Sequence, residues 1–187
     1  MSSIGHTSPA GPEPARLTTR ELHELPDADL VARCMAPIAR RIHSETVAAA
    51  QSLVIRRLTA DQAALLVFWL LYGNAGPGLS RLCRERPHRV ADEDFWRLVE
   101  AGLGHLGDTP LLALTGRLRA EIAKVVPAGA ARDADDGGVH LAEELARLDP
   151  DALKAIDDDY DRIAPESLRR TAGHIREHAD RFVSIAA

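Results

Sequence analysis

The stretch Ala155-Ile-Asp-Asp-Asp-Tyr-Asp-Arg-Ile163 places four carboxylates at 157, 158, 159 and 161. Carboxylates this close could hold calcium, share a catalytic proton or meet a basic partner, and each use demands its own geometry. Asp157, Asp159 and Asp161 have the alternating spacing of the first ligands of an EF-hand loop. The sixth position would be Arg162, where the sharp turn needs glycine, and the twelfth Leu168, where the site needs a bidentate glutamate. Paired catalytic carboxylates must converge on one point with separated pKa values. Successive residues on a helix point about 100° apart, so these diverge. A solvated or partner-facing helical surface is the reading that remains.

A second cluster is His174-Ile-Arg-Glu-His178, which spells H-x-x-E-H. On a helix the two histidines lie one turn apart on one face, the arrangement of an inverted zinc-peptidase motif with Glu177 as base. Such a site needs a third protein ligand and an open position for water. The chain ends nine residues after His178, and no earlier residue is marked by its spacing as that ligand. Two surface histidines near a helix C-terminus, where positive charge is favoured, account for the pattern without metal. The sequence therefore calls for no metal and no cofactor.

Other motifs fall to simpler readings. The glycines of Gly73-Asn-Ala-Gly-Pro-Gly78 follow a helix rather than a strand and lack the Lys-Ser/Thr ending of a phosphate loop, so they predict an interhelical turn. The basic stretch Arg81, Arg84, Arg86, His88, Arg89 has no interleaved aromatics, and predicts a solvated loop or an internal partner of the acidic run. Cys34 and Cys83 fit no ligand spacing or disulfide framework and sit among apolar neighbours, which predicts buried, unreactive thiols in a reducing compartment.

The elements that must carry these groups are helical. Hydrophobic residues make up 45% and charged residues 27% of 187 residues, values of one globular domain, and aromatics at 4% leave the core to Leu, Ala, Val and Ile. Residues 1–15 hold Pro9, Pro12 and Pro14 and predict a disordered tail before a single helical domain over 16–187. Apolar residues recur at helical spacing from Leu30 to Val54, with a break expected near 36 because Pro37 lacks a backbone donor. Thr59-Ala-Asp-Gln62 is a capping box ahead of an almost wholly apolar helix, which predicts the central one. Further helices are expected over Asp92–Gly107, from Thr109-Pro110 with Thr109 as the cap, from Asp149-Pro150 and from Pro165-Glu166, with residues 127–138 a polar loop. The prediction is an all-α bundle of about seven helices with no strand.

Net charge is −5, and it is local. Residues 128–166 hold twelve acidic against four basic residues, whereas residues 1–127 hold fourteen against fifteen. That concentration argues against nucleic-acid binding there and favours a basic partner. The longest apolar stretch, Ala63–Tyr72, is half the roughly 20 residues a membrane span needs. The first fifteen residues have neither the basic start nor the apolar run of a secretory signal, so a cytoplasmic protein is expected.

Two segments, over roughly residues 58–183, resemble a small all-helical bacterial family that includes a DNA-mimic protein. Trp69, Asn74 and Gly76 match at the first, and Leu148, Asp149, Asp157, Asp158, Tyr160, Ile175, His178 and Phe182 at the second. The family's turn usually carries a Glu, paired Asn, paired Gly and a Phe, where this chain reads Leu71-Tyr-Gly-Asn-Ala-Gly-Pro77. The resemblance implies an all-α fold and a partner that is a DNA-binding regulator, captured in place of DNA. The expected partner surface is Glu143, Glu144, Asp149, Asp151, Asp157, Asp158, Asp159 and Asp161, together with Asp133, Asp135 and Asp136 before them. The function expected first is a non-enzymatic interaction protein presenting this face to a basic protein. The alternative is a small helical enzyme or ligand-binding protein with an interhelical pocket and His174, Glu177 and His178 as its polar cluster.

Overall fold

Five helix starts among the described residues, at Thr18, Thr59, Asp92, Asp108 and Asp149, are fixed by side chains that satisfy first-turn amides, and helix interiors by stripes of buried residues. The computed structural model describes residues 12–73, 78–126 and 137–186. Its elements in order are β1 (Ala15–Leu17), α1 (Thr19–Glu24), α2 (Asp27–His43), α3 (Ala48–Arg56), α4 (Ala60–Tyr72), α5 (Arg81–Glu85), α6 (Pro87–Val90), α7 (Glu93–His105), α8 (Thr109–Val125), α9 (Gly137–Leu145), α10 (Pro150–Glu177), α11 (Ala179–Phe182) and β2 (Val183–Ile185). The chain is helical throughout its core, as expected, but with eleven helices among the described residues rather than seven. The sequence misses α1, α5, α6 and α11, of one or two turns and too short to leave a periodic signature. It also misses the nine-residue α9, whose first two residues fall in the expected loop. The two helices expected from Asp149 and from Pro165 are one, α10.

The capping box at Thr59 forms as expected: its hydroxyl accepts from Gln62 N–H, and the Gln62 side chain accepts from Thr59 N–H. Asp92 and Asp149 cap α7 and α10. At α8 the cap is Asp108, not Thr109, with Thr109 and Pro110 inside the first turn. Neither proline break is realised. The helix α2 runs through Pro37, and α10 runs unbroken through Pro165 for 28 residues. In α10 the buried residues Ile156, Tyr160, Ala164, Ser167, Thr171 and Ile175 recur at three- and four-residue steps on both sides of the proline. That continuous stripe packs against α8 and α2, and packing along the whole length outweighs one missing backbone hydrogen bond.

The expectation of no strand is also corrected. β1 and β2 pair in parallel, Ala15 opposite Val183 and Leu17 opposite Ile185, and Ala186 N–H donates to Leu17 O at 2.8 Å. Of the expected tail, residues 1–11 lie outside the described residues, whereas Pro12 and Ala15 are buried and Pro12 O accepts from Gln62 Nε2 at 3.0 Å. Among the described residues no helix is long and apolar enough to cross a membrane.

The helix α4 is central, as its composition predicts, touching α2, α7, α10 and α11. Its closest neighbour is α7, and Gly102 makes that approach possible. A Cβ on Gly102 would lie 2.9 Å from Val67 Cβ. With Val67 beside Gly102, and Asp61 in the first turn of α4 beside His105 at the end of α7, the two helices run in opposite directions.

Candidate functional site

That antiparallel contact sets a carboxylate at a helix N-terminus against an imidazole at a helix C-terminus, the favourable sign at both ends. His105 Nε2–H donates to Asp61 Oδ1 at 2.8 Å. From α10, His174 Nε2 reaches the same oxygen at 3.4 Å. After the turn at His178, α11 folds back and brings Arg181 Nη1 to that oxygen as well, at 3.4 Å. One ligand atom from each of Asp61, His105 and His174 lies within 4.8 Å of the others. The side chains of Asp61 and His174 are 13% and 15% exposed and that of His105 31%, so the cluster is recessed but open on one side. The His178 ring packs edge-on against His174 at 4.7 Å, and the buried Phe182 ring backs His174 at 5.8 Å. Burial alone would push the Asp61 carboxyl up. The hydrogen bonds from His105 and His174, the His105 charge and the Arg181 guanidinium together hold it below the usual carboxylate range.

The H-x-x-E-H motif is thus used differently from its sequence reading. His174 enters a cluster whose other ligands come from α4 and α7, His178 stacks beside it, and Glu177 is exposed and, among the described residues, not one of its ligands. Asp61, His105 and Arg181 are absent from the sequence-predicted set. Asp61 lies there inside the capping-box stretch Thr59-Ala-Asp-Gln62, and His105 inside the helix expected over Asp92–Gly107, neither marked out for chemistry. The four positions are 44, 69 and 7 residues apart along the chain, and only the pairing of α4 with α7 and α10 unites them.

The acidic run is placed quite differently from a free docking face. Asp157 accepts from Ser80 N–H at 2.9 Å and from the Ser80 hydroxyl at 2.6 Å, which joins α10 to the start of α5. Gly78, at φ 106°, lies so close that a Cβ there would meet the Asp157 carboxylate at 2.3 Å. Asp159 pairs with Arg117 and Arg162, and Asp158 with Lys154 at 2.5 Å. Glu144 pairs with Arg147 at 2.9 Å, and Asp149 is spent on the cap of α10. Glu143, Asp151 and Asp161 are exposed and, among the described residues, make no ion pair. Asp133, Asp135 and Asp136 lie outside the described residues. Of the two readings of the basic stretch, the solvated one fits better. Arg84, Arg86, His88 and Arg89 are exposed, though on α5 and α6 or between them rather than in a loop. Among the described residues no ion pair joins any residue from Arg81 to Arg89 to the acidic run. Ser80 and Arg117 are among that run's partners, and Arg81 pairs with Glu85 within α5.

An interhelical groove of about 410 Å³ does exist between α7 and α8, lined by Trp96, Val99, Glu100, Leu112, Thr115 and Arg119. Its polar groups are engaged: Arg119 with Glu93 and Glu100, and the Thr115 hydroxyl with Leu112 O. Both cysteines are buried, as expected, and burial pushes their thiols up to about 12 for Cys34 and about 11 for Cys83.

Of the residues that carry the family resemblance, Leu148, Tyr160, Ile175 and Phe182 are buried, and the Tyr160 hydroxyl donates to Leu71 O at 3.1 Å. They answer to packing. Comparison with models of known protein families, with curated proteins and with solved structures gives no match.

Proposed function

We propose that this chain is a helical-bundle protein that binds one divalent first-row transition-metal ion, of the zinc class, between Asp61, His105 and His174. The observation that carries the reading is the convergence of two imidazole nitrogens and one carboxylate oxygen in a recessed cluster built by three separate helices. Around tetrahedral zinc, ligand atoms at about 2.0–2.2 Å from the metal stand roughly 3.4 Å apart. The contacts of 2.8 and 3.4 Å to Asp61 Oδ1 lie at or below that separation, and all three ligand atoms lie within 4.8 Å of one another. Two imidazoles and one carboxylate suit zinc, cobalt or iron(II) and leave coordination positions open. Among the described residues neither histidine Nδ1 has a partner, so the outer contacts that tighten a site tenfold or more are missing. An exchangeable ion is the expectation, rather than a permanent structural one.

Isothermal titration of the purified chain with zinc tests this. One equivalent is expected for the wild type, with loss of binding in His105→Ala, His174→Ala and Asp61→Asn. Glu177→Gln should bind as the wild type does, because Glu177 stands outside the cluster. Equal zinc binding in the three cluster variants would sink the reading, provided that circular dichroism reports them folded.

A second reading keeps the acidic surface. Glu143, Asp151 and Asp161 on α9 and α10 are exposed and, among the described residues, carry no ion pair. This supports docking to a basic protein, with a DNA-binding regulator as the kind that the resemblance implies. The reading stands second because Asp157, Asp159, Glu144 and Asp149 are committed to contacts within the chain. Its test is capture of a basic DNA-binding protein, released by high salt, that the variant Glu143→Gln/Asp151→Asn/Asp161→Asn no longer captures. Equal capture by that variant would refute it.

A further inference from the structure

The metal reading leaves two basic groups at the mouth of the cluster without a task. Arg181 stands on the four-residue α11, its side chain 47% exposed. Its one contact to the cluster is a 3.4 Å approach to an oxygen that also receives two imidazoles. A guanidinium committed to a carboxylate binds at about 2.7–2.9 Å and often through both of its forks. Arg181 does neither, so most of its five donors remain available. His178 packs against His174 and is half-buried. Glu177 and Asp180, the acidic residues nearest in sequence, are exposed and make no contact with the cluster among the described residues.

The charges then fix the class of ligand. A divalent ion, the Asp61 carboxylate, two uncharged imidazoles and the Arg181 guanidinium sum to +2 in a recessed, partly desolvated site. An ion held by three protein atoms keeps at least one open position, and Arg181 stands beside the shared ligand atom of Asp61. We infer that the open face of the ion takes a phosphate-class dianion, one oxygen on the metal and others on the Arg181 guanidinium and the His178 ring. A carboxylate monoanion would leave the site one charge short of neutral and engage fewer of these donors, so discrimination in favour of phosphate follows. Free phosphate and a phosphate monoester offer the same oxygens.

This inference rests on the metal reading, and one experiment separates the two. The chain is loaded with cobalt(II), whose visible absorption reports coordination, and is then titrated in separate arms with inorganic phosphate, phenyl phosphate and acetate. The expected result is a change in the cobalt spectrum that saturates with either phosphate and needs at least tenfold more acetate. Arg181→Ala should weaken phosphate at least tenfold while cobalt binding stays within about threefold of the wild type, and Arg181→Lys should recover part of the loss. Saturation with phenyl phosphate assigns the site to esters as well as to the free ion. Failure to take up cobalt overturns the metal reading, and this inference with it. Cobalt uptake with no phosphate response, or with equal responses to acetate and phosphate or in Arg181→Ala, overturns this inference alone.

Discussion

Asp157 stands in the most conspicuous run of carboxylates in the chain, yet it does its work indoors. Its two oxygens accept from the backbone and hydroxyl of Ser80, and Asp157→Ala would strand both donors beside a part-buried helix start. We expect a loss of about 1–3 kcal/mol in denaturant unfolding, whereas Asp161→Asn, at an exposed and unpaired position, should change stability by less than about 0.5 kcal/mol. Equal costs for the two would refute the division of the run into structural and solvated members. Glu21 illustrates a different use of charge. The Thr18 backbone N–H at 2.8 Å and the Thr18 hydroxyl at 3.0 Å hold its carboxyl below the ordinary 4.5, with Arg33 assisting. A carboxylate with a lowered folded pKa stabilises the fold above its unfolded value, and that contribution disappears as pH falls through the folded value. Acid unfolding of Glu21→Gln should therefore be less steep than that of the wild type below about pH 4.5, with the two proteins differing most in stability near neutrality. At Cys34 and Cys83, with thiols pushed up to about 12 and about 11, a disulfide-exchange reagent at pH 8 should find no reactive thiol in the folded chain and two after denaturation.

At the scale of elements, α10 is the longest piece of the structure and carries a proline on its exposed face, fifteen residues into the helix. Pro165 supplies no N–H for the carbonyl one turn earlier, and it is exposed. Pro165→Ala should stabilise the chain by about 1–3 kcal/mol and leave zinc binding unchanged; destabilisation would mean that the proline is needed for the course of the helix. The sequence announces the ends of these helices better than their lengths. Thr59, Asp92 and Asp149 are legible because a cap is a local device, with donor and acceptor within three residues. The continuity of α10 is not legible, because it depends on a stripe from Ile156 to Ile175 finding α8 and α2 to pack against. The same distinction governs the site. His174 and His178 stand out as a motif one turn apart, whereas Asp61 and His105 become partners only once Gly102 lets α7 close on α4. A glycine in a helix marks close approach, and from one sequence it does not name what approaches.

The whole molecule joins its two extremities. Residues 15–17 and 183–185 lie side by side and point the same way, so a segment attached before β1 leaves from one end of the pair and a segment attached after β2 leaves from the other. Tension between two such attachments pulls the strands along their length in opposite directions. Every hydrogen bond of the pair is then loaded at once, in shear, rather than opened one after another like a zip. With the bond from Ala186 to Leu17 added, this short patch is a mechanical clamp that bridges the two attachment points and shunts the bundle. The helices behind it bear no load until it yields.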